Sequence, residues 1–242
     1  AINEDGTKCE LLEIKDICQD LTGQIWFGCA SGVYAVENPE SWFKTSAFSV
    51  YQPKVPRNDG TNYADYLLTG IDVTALVVDQ GNRKWLGTFG SGVYLASPDG
   101  SEVLEHFTAD NSPLLSDNIY SLAIHPETGE LMIGTDVGLC SYRTNITPVQ
   151  PELVEDNVKV YPNPVRPAYS GNVTITGLTE EAEVKIVSAG SQLVARGTAV
   201  GGSFVWDVRS QTTGQRVAPG VYFILVANVD GSESVAAKVV VI

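Results

Sequence analysis

Four sets of residues have the types that chemistry needs. His106 and His125 each have carboxylates near them in sequence, the raw material of a general acid–base pair. Asp16, Asp20 and Gly23, and again Asp79 with Asn82, could present oxygen ligands to calcium at a turn. Gly87-Thr-Phe-Gly-Ser-Gly92 has the glycine content of a phosphate cradle. Four cysteines, Cys9, Cys18, Cys29 and Cys140, could bind a metal or form disulfides.

None of these sets reaches the spacing its chemistry requires. There is no G-x-S-x-G, no H-E-x-x-H, no Walker loop and no G-x-G-x-x-G ahead of a helix, so a non-catalytic protein without a cofactor is expected. The aspartates do not follow an EF-hand, and Asp and Asn favour turns without any ion. The glycine run lies inside a repeated hairpin and reads as a turn. No C-x-x-C pair exists and both histidines are distant from the cysteines, which argues against a zinc site. A disulfide in an oxidising compartment and buried thiols are both open readings for Cys9, Cys18, Cys29 and Cys140.

Charge narrows the partners. The net charge is -14, but residues 157–242 hold six acids against seven bases, leaving 23 acids and 8 bases upstream. So acidic a front part repels phosphate backbones, which excludes nucleic acid and disfavours anionic lipid there. No stretch approaches the ~20 apolar residues that cross a bilayer, so a membrane-spanning protein is not expected. Any signal peptide is expected to precede Ala1. The 242 residues, 43% of them apolar, suit two ordinary domains.

The elements that carry these residues are repeats. Ile14 to Gly28, Val73 to Gly87 and Ile119 to Gly134 share one pattern, each closed by a glycine segment at Gly32, Gly92 and Gly138. An alternating apolar run, a turn cluster and a second run ending in glycine make a β-hairpin. The glycines Gly28, Gly87 and Gly134 are 59 and then 47 residues apart, against ~40–50 for four-stranded propeller blades. Trp26, Trp85 and Ile133 would fill the space between blades, and the glycines would allow tight turns. These segments resemble the two-component regulator propeller repeat, with Met132 where Trp is usual, His125 where Asp is usual and Cys29 in place of Thr. Residues 37–70 form a turn-rich insertion containing Pro56-Arg-Asn-Asp-Gly-Thr, read as a surface insertion. Three blades cannot close a ring, so the chain is expected to be part of a longer protein with a complete propeller.

Beyond a linker at 148–157, seven short strands in the last ~85 residues indicate an immunoglobulin-like β-sandwich. The whole is therefore expected to be all-β, with about three four-stranded blades in 1–147 and the sandwich in 158–242. Asp230-Gly231 should form a type I′ hairpin turn. The tail resembles the C-terminal sorting domain of type IX secretion substrates, on Tyr161-Pro162-Asn163-Pro164-Val165, Trp206-Asp207, Gly220-Val-Tyr222 and Lys238-Val-Val-Val-Ile242. Tyr161 to Pro164 would make a rigid approach to the first strand, and Trp206 would anchor the core.

Propeller repeats ahead of such a tail resemble the surface component of the type IX secretion apparatus in the Bacteroidetes. The resemblance implies a secreted protein on the outer-membrane exterior, peripheral to the membrane, within a complex that joins exported proteins to anionic lipopolysaccharide. It implies a lipopolysaccharide-binding tail and a separate sortase-like partner for the covalent step. The alternatives are a secreted cargo whose sorting tail is removed, and the periplasmic propeller sensor of a hybrid two-component system.

Overall fold

Short apolar alternations bounded by Asp, Asn and Gly turns become strands from one end of the described chain to the other. The computed structural model describes residues 11, 13–40, 44, 49–57, 60–61 and 63–242. Cys9 and the insertion residues Asn58, Asp59 and Asn62 lie outside the described set. The architecture is all-β, as the alternation predicts. Two compact units make it up, residues 1–125 with 130–143, and residues 126–129 with 144–242.

The first unit holds three antiparallel sheets in sequence order. β1 (Ile14–Gln19), β2 (Ile25–Cys29) and β3 (Gly32–Val36) form the first, and a small hairpin of β4 (Lys54–Pro56) and β5 (Ala64–Tyr66) follows. The second contains β6 (Val73–Val78), β7 (Lys84–Thr88), β8 (Val93–Ala96) and β9 (Val103–Phe107). The third contains β10 (Ile119–Ile124), β11 (Glu130–Thr135) and β12 (Gly138–Arg143). Each sheet opens with the same irregularity, a register shift at Ile14/Asp16, Val73/Ala75 and Ile119/Ser121. The repeat is therefore one of backbone geometry as well as of residue type.

The four-stranded form appears complete in the middle sheet. In the first, an isolated Ala35–Tyr51 bridge marks the fourth position, and the third has three named strands. Separate apolar clusters fill the gaps between sheets. Trp26, Val33, Leu76 and Leu86 meet in one, and Trp85, Val93, Ile119 and Ile133 in the next. The end of the insertion belongs to the first of these clusters, where Leu67 and Leu68 are buried, while Val50 is buried in a further cluster with Phe27, Tyr34 and Val36.

The signature glycines are of two kinds, where the sequence suggests only tight turns. Gly28 and Gly87 lie within strands, and a Cβ there would press on Val73 (3.0 Å) and Ile119 (2.6 Å), the first residues of the next sheet's first strand. They permit close approach of sheets. Gly92 has φ +74 and sits against the Phe107 carbonyl, so it is the turn-forming kind.

The second unit is a seven-stranded sandwich. β13 (Lys159–Tyr161), β14 (Val173–Thr176) and β17 (Ser203–Trp206) form one sheet. β16 (Leu193–Thr198), β15 (Glu183–Ser188), β18 (Gly220–Ala227) and β19 (Ser234–Val241), in that spatial order, form the other. One continuous apolar cluster fills the space between them, with Val173, Ile175, Ile186 and Ile224 fully enclosed. Residues 148–157, whose prolines and acids read as a linker, are laid on the sandwich: Gln150 N bonds Leu178 O, Leu153 N bonds Glu233, and Leu153 is buried. The hairpin at Asp230-Gly231 exists, but it is not type I′. Only Gly231 has positive φ, and the loop is closed by Asn228 on Gly231 N and Glu233 O. A six-residue connection between Ala227 and Ser234 has no need of two left-handed residues.

Candidate functional site

The aspartates with a calcium-like look are structural acceptors. Asp20 follows β1, and its Oδ1 accepts from Thr22 N (2.9 Å), Thr22 Oγ1 (2.8 Å) and Gln24 N (3.0 Å), closing the hairpin turn. Its Oδ2 accepts from the Trp26 indole (3.0 Å) and from Lys84 Nζ (2.9 Å). Lys84, on β7 of the next sheet, has no exposed surface. Its ammonium also donates to Asn82 O (2.9 Å) and to the Pro98 carbonyl, and lies 4.4 Å from the Trp26 ring centre. All three of its protons are thus directed at acceptors. Burial would raise the Asp20 carboxyl, but the hydrogen bonds from Lys84, Thr22 and Trp26 and the lysine charge hold it down at about 2. Burial pulls the Lys84 ammonium below its ordinary range, against the attraction of Asp20.

The second copy repeats the device. Asp79 Oδ1 accepts from Gly81 N and Arg83 N, and its Oδ2 from Arg83 Nε (2.8 Å) and the Trp85 indole (3.1 Å). In the third copy both members change together. Strand register places Met132 at the Trp position and His125 at the Asp position, so the indole donor and the carboxylate acceptor are lost as a pair. The remaining candidates tie sheets together: Asp16 Oδ2 accepts from Leu76 N (2.7 Å), and Asn82 Oδ1 from Leu21 N (2.9 Å). No carboxylate of this set is left as an open ligand cluster among the described residues.

The other chemical candidates resolve similarly. The backbone N–H groups of Gly90 and Gly92, which a phosphate would need, both donate to Asp117 O at 3.0 Å. His106 stacks on Tyr94 with ring centres 3.8 Å apart and bonds Ser91 O through Nε2 (2.8 Å). His125 sits at a hairpin end, its N–H donating to Glu130 O. No disulfide joins Cys18, Cys29 and Cys140 to one another. Burial and the nearby Asp16 push the Cys18 thiol up to about 12, which suppresses the reactive thiolate. An apolar pocket of about 110 Å³ lies between Trp85, Phe107, Leu114, Ile133 and Tyr142. Its walls carry no carboxylate or imidazole, so it has the character of a packing gap.

Among the blade-signature residues, Trp26, Trp85 and Ile133 are buried between sheets. Gly32 and Gly138 open β3 and β12 with positive φ, and Gly134 faces Ser121 on the neighbouring strand. The tail residues converge on two places. Trp206 is buried, donates its indole N–H to Arg209 O (2.9 Å) and packs on Tyr222 at 5.7 Å; Asp207 caps the same turn by accepting from Arg209 N. Gly220 starts β18, and Tyr222 Oη donates to Ala218 O (2.8 Å).

The second place joins the ends of the tail. Tyr161 ends β13, so Pro162-Asn163-Pro164 follows that strand where a lead into it was expected. Asn163 Nδ2 donates to Lys238 O (2.9 Å), and its Oδ1 accepts from Val240 N (3.1 Å). Val165 N then bonds Val240 O, and Ile242 N bonds Val165 O. The carboxamide acts as a peptide unit against the edge strand β19, with Pro162 and Pro164 on either side. Gln211 does the same at the opposite edge, pairing both backbone groups of Arg196 on β16 at 2.9 and 2.8 Å. Lys84 and Gln211 escaped sequence reasoning. A lysine at an inward position of an apolar strand was the one available signal for the former.

No family model and no curated protein matches the chain. Among solved structures, PorZ, an essential bacterial surface component of the type IX secretion system of Porphyromonas gingivalis, aligns over 100% of the chain at 35% identity and TM-score 0.74. The chain is PorZ-like. It spans 32% of PorZ's length, and the likeness to PorZ takes in the sheet repeats and the sandwich tail alike. The extracellular domain of a B. thetaiotaomicron protein assigned to a hybrid two-component system aligns over 94% of the chain at 14% identity and TM-score 0.39, covering 32% of that domain. Another, assigned to a one-component system, aligns over 95% at 14% identity and TM-score 0.37, covering 31%.

Proposed function

We propose that the chain is a non-catalytic, surface-located part of the type IX secretion machinery. Its proposed ligands are anionic lipopolysaccharide and neighbouring secretion proteins, including a sortase-like subunit. The observation that carries this reading is the whole-length likeness to PorZ at 35% identity, including the tail. The commitment of Asp20, Asp79 and the Gly90–Gly92 amides to internal bonds also supports a structural part over a reactive one. No helix among the described residues is long and apolar enough to cross a membrane. In this reading residues 1–147 contribute propeller blades, 148–157 join them to the tail, and 158–242 are a type IX tail whose motif residues hold its fold.

The test is pull-down of the surface-exposed protein with and without lipopolysaccharide, scored for a sortase-like partner and for glycan. Recovery of either is expected; recovery of neither refutes the reading. If the purified surface protein lacks residues 158–242, a cargo with a removable tail replaces it.

A further inference from the structure

An antiparallel sheet with one face in the core is expected to show polar side chains on the other. The four-stranded tail sheet departs from this. On its solvent face β18 presents Val221, Phe223 and Leu225, 38%, 41% and 43% exposed, and β16 adds Leu193 at 46%. Register places Val187 of β15 opposite Phe223, which links the β18 and β16 residues into one apolar band across three strands. Cations border the band. Lys185 and Arg196 are paired across β15 and β16 beside Leu225, and Lys238 stands opposite Phe223 on β19. Glu183 neutralises Lys185 at 3.0 Å, while Arg196 and Lys238 have no ion-pair partner among the described residues. In a chain of net charge -14, an apolar band edged by unpaired cations is a feature that calls for an anionic, apolar-faced occupant.

We infer that this face docks onto a lipid surface bearing anionic headgroups, with Phe223, Leu225 and Leu193 meeting the apolar boundary and Arg196, Lys238 and Lys185 meeting the headgroups. The inference rests on the surface location proposed above and assigns it a place on the molecule. A second copy applied symmetrically would set three cations and one acid against the same set, which like-charge repulsion opposes. The patch comprises one to three side chains on each strand, short of the ~20–30 residues a side of a standard protein interface. Lipid docking has no such threshold, because apolar insertion and headgroup attraction add residue by residue.

The experiment is co-sedimentation of the full chain with phosphatidylcholine vesicles and with vesicles of phosphatidylcholine and phosphatidylglycerol, at low and high salt. Binding to the mixed vesicles alone, weakened by salt, is expected. Arg196→Glu with Lys238→Glu should weaken it ~10-fold or more, and Phe223→Ser with Leu225→Ser should weaken it at both salt concentrations. Glu183→Gln should bind at least as well as the parent, and an unchanged melting transition verifies each fold. Equal binding to both vesicles, binding to neither, variants indistinguishable from the parent, or a dimer broken by the Phe223 and Leu225 changes would overturn the inference. Lipopolysaccharide recovery that survives these variants removes the face while sparing the proposed function. Vesicle binding without lipopolysaccharide recovery does the reverse.

Discussion

The two units solve the same problem, holding small sheets together, by different means. Between the sheets of the first unit the apolar clusters are separate, and buried or half-buried polar side chains reach across: Asp20 to Lys84, Asp16 to Leu76, and Thr74 to the Ile119 carbonyl (2.6 Å). The sandwich has one unbroken apolar core, and its polar specialists work at the rim, where Asn163 and Gln211 close the edge strands. Repetition explains the difference. A blade must recognise its neighbour through two faces, and directional bonds set that register, whereas a sandwich with two inner faces needs apolar contact and protected edges.

The strongest way to break the comparison is to strand a buried charge. Asp20→Ala leaves Lys84 and the Trp26 indole without their acceptor and should cost the first unit about 3–5 kcal/mol, with the tail transition unmoved. Calorimetry of the full chain, with tryptophan fluorescence to assign the transitions, reads both. Equal loss in both units would contradict independent stabilisation. Trp206→Ala is the mirror experiment and should cost the tail about 3–5 kcal/mol through the cavity it opens, leaving the first unit's urea midpoint in place.

Acid sharpens the contrast at smaller scale. Asp20 has its carboxyl lowered from 3.8 to about 2, so its contribution is fully present above pH ~4 and is lost as pH falls through about 2. The first unit should lose roughly 2 kcal/mol over that window. In the tail the depressed carboxyl is Asp230, on the surface, and the tail should be less acid-sensitive. Urea titrations between pH 5 and 2 decide this, and Asp20→Asn should flatten the first unit's slope. The smallest effect belongs to the edge. Asn163→Ala removes two hydrogen bonds to β19 and should cost about 1–3 kcal/mol, with faster hydrogen exchange at Val240 than at the interior strand β15.

The strands were legible in the residues because their causes are local. Period-two alternation and the turn residues around Gly23, Asn82 and Gly129 mark each hairpin within a few positions. All seven tail strands lie where alternation places them, and the Asp230-Gly231 hairpin was visible although its turn type was not. The roles of the polar residues were hidden. Asp20 and Asp79 look alike as turn formers, yet only Asp20 receives a lysine from 64 residues away. Asn163 reads as a turn residue between prolines until β19, 75 residues on, lies against it.

By itself, then, the chain's residue order determined an all-β protein of repeated hairpins and a seven-stranded tail, since side-chain alternation and turn chemistry act between neighbours. The tertiary structure decided that the chemically suggestive aspartates are bonds between sheets, that Gly28 and Gly87 make room for the next sheet, and that an apolar, cation-edged face of the tail is left open. Those outcomes depend on which strands meet, and strands meet through contacts that no local pattern encodes.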